Sequence, residues 1–303
     1  MREIKNIAAS IHARLLNLAK DSGKPFQEIL QYYAIERFLY RISQTKYCNK
    51  FVLKGGLIIY AQSYLLRRPT KDIDFRGYIT NSAEDLRKII EEMCVYPVSE
   101  DGIIFHEETI QIEATLPNAE YQGSQVTFTA TLGNAKIPIQ IDINFTDLIT
   151  PKARNLSFPI LLKEMEMPIL LGYPPESIIS EKFQAMIRLV DINSRWKDFY
   201  DIWLLCNQIE FQGSVLQQAI STTFRQRETQ IPSSLPIALS DEFATQRQKQ
   251  WQTFLTKNRL YDKEFASFGK VVEILRTFLM PPVKAIVAQT TFMKSWKPGQ
   301  GWE

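Results

Sequence analysis

Asp72 and Asp74 stand two residues apart in Asp72-Ile73-Asp74-Phe75, with an apolar side chain following each. On a strand, alternate side chains share a face, so both carboxylates project to one side while Ile73 and Phe75 enter a core. Two hard oxygen ligands on one rigid element suit Mg2+, which takes one or two protein carboxylates and completes its shell with water and substrate phosphates. Such a pair also occurs on solvated strand faces, so its neighbours decide its weight. Lys54-Gly55-Gly56 lies shortly upstream and leads into the helical stretch Leu57 to Leu66, while Arg68-Pro69-Thr70 runs directly into the pair. Glycine lets the backbone approach a triphosphate, and the N-terminus of the following helix offers N–H groups to it. Asp142, on a later strand, is a third carboxylate that could accept a proton from an attacking hydroxyl, with Asp147 a weaker alternative.

A second constellation falls on helices. With Glu176 to Val190 wound at about 100° per residue, Lys182 lies inside an apolar arc, between Leu189 and Met186. An inward lysine needs either a path to water for its ammonium or an anionic partner, and a nucleotide phosphate is one such partner. In Arg195-Trp196-Lys197-Asp198-Phe199-Tyr200-Asp201, Asp198 falls on the apolar face beside Ile202 and Leu205, with Asp201 three residues on. Asp198 is read either as a helix N-cap or as the acid that orients Lys182 or moves a proton.

The elements that carry these residues follow from periodicity. Ile4 to Ser43 is helical, broken by Asp21-Ser22-Gly23-Lys24-Pro25. Leu86 to Met93 is a helix, and four segments (103–105, 110–114, 125–131 and 137–145) read as strands. In the last of these every odd-numbered residue is apolar, and Pro138 indicates an edge or the first residues of a strand. Pro151 to Pro175 is a connecting stretch with an apolar hairpin or arm, and beyond it the chain is mainly helical, with 225–250 its most flexible part and an aromatic, basic end. The expected domains are residues 1–150, helices plus a core from about 45, and 151–303, a mainly helical part that completes the active site in a cleft against the core.

Composition narrows the chemistry. Two histidines, His12 and His106, and three cysteines without a CxxC pair disfavour His-centred hydrolysis, a structural zinc or a disulfide framework. Thirty-six basic against 33 acidic residues permit an RNA partner only through local clustering. No apolar run approaches a membrane span and the first residues lack an apolar signal core, so a cytoplasmic protein is expected.

Taken together, these motifs resemble the AbiEii-type nucleotidyltransferase toxins of abortive infection, a phage-defence toxin–antitoxin family within the polymerase-beta-like nucleotidyltransferase superfamily. The resemblance runs from Ala34-Ile35-Glu36-Arg37-Phe38-Leu39-Tyr40-Arg41 through Phe51 to Gly56, Arg68 to Asp74 and Glu181-Lys182 to Lys197-Asp198-Phe199-Tyr200-Asp201. It implies an α/β mixed sheet with N-terminal helices and a C-terminal helical domain. It also implies transfer of a nucleoside monophosphate from an NTP to RNA, the tRNA 3′ end above all, with release of pyrophosphate. By the same resemblance Gly55 and Gly56 form the phosphate loop, Asp72 and Asp74 hold Mg2+ (or Mn2+), Lys182 binds phosphates and Asp198 is the last motif's acid; Lys54, Arg68, Thr70 and Asp201 join the nucleotide site. A monomer with a cognate antitoxin encoded nearby is implied. The chain departs from the wider superfamily in having Leu57 where a serine often follows the glycines, and in lacking a lysine near Asp142. Competing readings are nucleotidylation of a protein or small molecule, a non-catalytic NTP- or RNA-binding regulator, and a metal-dependent nuclease, the last of which leaves the glycines and the inward lysine unexplained.

Overall fold

The computed structural model describes residues 6–63, 69–80, 82–114, 123–189 and 195–303. They fall into two compact units, one from the segments Met1–Leu65, Pro69–Asp147 and Arg154–Gly172, the other from Leu148–Ala153 and Tyr173–Glu303.

The first unit opens with α1 (Ile7–Ser22) and α2 (Phe26–Gln44). Asn6 caps α1 by accepting from the Ala9 N–H, and Gly23 ends it in the left-handed region at φ 66°. Helix α2 is buried along most of its length and packs against α1, the sheet and α4 (Ala83–Cys94). Its charged residues are therefore paired: Arg41 grips Asp101 through two bonds of 2.6 and 3.1 Å, and Arg37 meets Glu36 at 2.7 Å.

The sheet has the strand order β3-β4-β5-β2-β1-β7-β6, formed by β1 (Phe51–Lys54), β2 (Asp72–Gly77), β3 (Ile103–Ala114), β4 (Gly123–Leu132), β5 (Ala135–Asn144), β6 (Arg154–Ser157) and β7 (Ile169–Gly172). It is mixed, β2 with β5 and β1 with β7 being parallel and the other neighbours antiparallel. Helix α3 (Gly55–Ser63) follows β1 without a break. The two segments expected at 103–105 and 110–114 are one strand, β3, whose register shifts between His106 and Gln111. Strand β5 is interior, not an edge: Pro138 sits in its first half, where the ladder to β4 continues but that to β2 has not yet begun, so the ring displaces no bond to β2. The arm after Pro151 contributes a hairpin, β6 with β7, that extends the sheet beside β1.

The second unit comprises α5 (Pro175–Arg188), α6 (Trp196–Cys206), β8 (Phe211–Gln212), α7 (Gly213–Gln226), α8 (Asp241–Lys257), α9 (Phe268–Val287), β9 (Ser295–Lys297) and β10 (Gly301–Trp302). Helix α9 is its axis, packing against α6, α7 and α8 and burying Phe268, Val272, Leu275 and Phe278 among others. The stretch expected to be flexible is partly helix: Ser240 caps α8, which buries Ala244, Trp251 and Leu255. The aromatic end forms a small sheet, β10-β9-β8, where Trp296 donates to the Cys206 carbonyl at 2.6 Å and Trp302 stacks on Phe278. Among the described residues no helix is long and apolar enough to cross a membrane.

Candidate active site

The alternation read for β2 holds: Ile73, Phe75 and Gly77 are buried, whereas Asp72, Asp74 and Arg76 are half-buried on the opposite face. Register then sets their neighbours. Lys54 of β1 pairs with Asp74 across the antiparallel ladder, and Asp142 of β5 pairs with Asp74 on its other side. Lys54, Asp74 and Asp142 thus form one row across three adjacent strands, and Asp72 stands beside Gln140 in the next row.

The glycine loop is built against this row. Gly55 has φ +70°, and a Cβ there would land on the Asp74 carboxylate, 2.5 Å from its carbon. Glycine is therefore required twice at this position, for the backbone turn and for the space. Behind the loop, Tyr60 of α3 makes edge-on contacts with Tyr32 and Phe158, its hydroxyl pushed up to about 12 by burial. The Tyr32 hydroxyl accepts from the Thr70 N–H at 3.1 Å, fixing the approach to Asp72. Thr70 thus spends its amide on the protein. Arg68 lies outside the described residues, and Gly56 is the second residue of α3.

Asp142 is held by amides on both oxygens, from Gln125 Nε2 at 2.9 Å and Gln140 Nε2 at 3.1 Å. The two donors fix the direction of its carboxylate. Asp147 is instead buried and ion-paired with the Lys54 ammonium. Its neighbourhood draws in two more strands: Arg76 Nε donates to the Asp147 carbonyl at 2.9 Å, and the Asp147 N–H donates to Asn144 Oδ1 at 2.8 Å. Tyr32, Gln125 and the pairing of Asp147 went unread in the sequence, because each depends on long-range strand or helix contacts, whereas Gln140 shares the strand face of Asp142 two residues on.

In the second unit, Lys182 of α5 points inward, its side chain 14% exposed, as the helical wheel requires. Its ammonium meets Asp198 Oδ1 at 2.9 Å and Asp201 Oδ2 at 2.8 Å, both carboxylates being almost fully buried. Asp198 is not the N-cap of α6. That place belongs to Arg195, whose Nε stands 3.4 Å from Asp198 Oδ2. The anion that compensates Lys182 is thus supplied by the chain itself.

Asp72 and Asp74, on one strand face with glycine backbone against Asp74, are an oxygen donor set of the kind and number that Mg2+ draws from proteins. Among the described residues no group of three His, Cys, Asp or Glu side chains is placed to hold a metal ion. Such a pair leaves the other coordination positions to water and phosphate oxygens.

A family model described as "Nucleotidyl transferase AbiEii toxin, Type IV TA system" matches residues 37–274. Solved structures similar at low identity include the following two. JHP933 from Helicobacter pylori is 13% identical with a TM-score of 0.48, over 87% of this chain and 97% of that one. An antigenic nucleotidyltransferase-like protein from Paracoccidioides brasiliensis is 15% identical with a TM-score of 0.38, over 64% of this chain and 89% of that one. No curated protein matches the chain.

Proposed function

The chain belongs to the AbiEii nucleotidyltransferase toxin family, and from that premise we propose that it transfers a nucleoside monophosphate from an NTP to the 3′ end of an RNA, tRNA in particular, releasing pyrophosphate. The observation that carries the reading is the packing of Gly55 against Asp74, which joins a phosphate-approaching loop to a carboxylate pair. Asp72 and Asp74 would hold Mg2+, or Mn2+ in its place; when bound there the ion supplies positive charge to the triphosphate.

The chain's own residues do the rest. Gly55, Gly56 and the first turn of α3 present N–H groups to phosphate oxygens, and Lys54, Thr70 and Arg68, the last outside the described residues, are proposed to bind the nucleotide with them. Lys182 offsets charge that develops on the triphosphate, and Asp198 and Asp201 fix its ammonium. Asp142 takes the proton of the attacking hydroxyl. It is favoured over Asp198 because it stands in register beside Asp74, while Asp198 already holds Lys182. The reading includes a cytoplasmic location, a monomeric state and a neighbouring antitoxin gene, in keeping with a phage-defence role.

Expression with and without the adjacent gene, followed by sequencing of RNA 3′ ends, tests the acceptor; added nucleotides on tRNA are expected. Labelled NTPs offered to total RNA and to protein extract separate RNA from protein acceptors. Asp74→Ala should lower transfer by at least about 10²-fold without unfolding the protein. Full activity in that variant would refute the metal assignment.

A further inference from the structure

The Lys54–Asp147 pair has features that a stabilising ion pair does not need. Asp147 is 1% exposed at its side chain against 17% for Lys54, so the carboxylate has been taken almost wholly out of water. Desolvation of that kind offsets most of the Coulombic gain, and a buried pair is weak evidence of stability. What the arrangement does supply is position. Asp147 lies just beyond β5, and its three polar groups engage three different strands of the site: the carboxylate takes Lys54 at the end of β1, the carbonyl takes Arg76 of β2, and the amide N–H gives to Asn144 of β5. Lys54 is both the residue that precedes Gly55 and the ladder partner of Asp74.

We infer that Asp147 is a positioning residue for the nucleotide, one that fixes the Lys54 ammonium between the glycine loop and the Asp74 row so that it meets the triphosphate in a single direction. This rests on the nucleotide-binding role proposed above for Lys54. It gives Asp147 a task other than that of a third carboxylate in the chemistry: its Oδ2 meets the Lys54 ammonium, and its effect on the nucleotide runs through that side chain. A lysine carries about four rotatable bonds' worth of freedom, and a buried carboxylate removes much of the ordering cost before the nucleotide arrives.

The test uses the full chain, Mg2+ and each of the four ribonucleoside triphosphates, with binding measured by calorimetry and transfer by steady-state kinetics. For the triphosphate that binds, Asp147→Asn should weaken binding and raise KM by about 10-fold, within the range usual for residues that orient a ligand-contacting group, with a smaller change in kcat. Asp147→Glu should recover part of the loss. Lys54→Met should show a comparable loss, and the double variant Lys54→Met/Asp147→Asn, which removes both charges, should bind no worse than Lys54→Met alone. If Asp147→Asn does not fold, the comparison of Lys54→Met with the double variant decides by itself. Losses that multiply in the double variant, or an Asp147→Asn protein that binds as the wild type does, would overturn the inference while leaving nucleotidyl transfer intact. Wild-type protein that binds none of the four triphosphates would bring down the proposed function, and Asp147's role with it.

Discussion

Lys54 and Lys182 both end in buried carboxylates, but they reach them by different routes. Lys182 meets Asp198 and Asp201 across two consecutive helices, 16 residues separating the first pair. Lys54 meets Asp147 across a sheet, 93 residues away in sequence. The first cluster brings two buried carboxylates to the Lys182 ammonium, whereas the second brings the buried Asp147 carboxylate to Lys54. Lys182 is held by two carboxylates, one of which also has the Arg195 guanidinium at 3.4 Å. A lysine held within one helix pair suits offsetting charge in a reaction, and a lysine tied across strands suits fixing a direction.

The largest effect is expected where this contrast is sharpest. Lys182→Met removes the cation that two buried carboxylates share and should cost about 3–5 kcal/mol in denaturant unfolding, together with at least about 10²-fold in transfer. Adding Asp201→Leu should recover stability but not transfer. Recovery of both would reduce the cluster to scaffolding and erase the difference between the two lysines. Gly55→Ala comes next. A side chain at φ +70° that lands on Asp74 should destabilise by about 1–3 kcal/mol and lower transfer as well, measured by thermal unfolding and labelled NTP.

The smallest effect belongs to a buried pair outside both groups. Glu36 sits beside Arg37 and accepts from the Leu161 N–H, and burial lifts its carboxyl from 4.5 to about 7. Between those values the folded protein holds a proton that the unfolded chain has released, so stability falls as pH rises through this window and levels off above it. Glu36→Gln should flatten that dependence in urea midpoints taken at about pH 5 and about pH 8, and transfer should persist. A loss of transfer would show that buried charge in the scaffold reaches the site, and the comparison would then need a third member.

How much of this was legible follows from range. The DxD face, the glycine loop and the inward Lys182 are local in sequence: a period of two or of 3.6 suffices to place them. The partners of Lys182 were within reach because Asp198 and Asp201 follow on the next helix. Asp147 was visible as an acid but not as the mate of Lys54, since ladder register is set by pairings that no short window contains. The hairpin of β6 and β7 was open as one of two readings, an apolar hairpin or an arm, because strands of four residues alternate too briefly to decide between them. The continuity of β3 was hidden by its register shift, because an irregularity breaks the period that would have announced one strand. His106 illustrates the converse. Its ring nitrogens contact Glu108 and Thr131, a surface arrangement consistent with the poor chemical promise of its sequence context.

The contact of Gly55 with Asp74 has a mechanical consequence. Because not even a methyl group fits between the loop's backbone and the carboxylate, a shift of one towards the other is resisted. Any tilt of β2 is felt at once by the peptide on which α3 begins, so the part proposed to meet phosphate and the part proposed to hold the ion would behave as one piece of machinery, set when the chain folds.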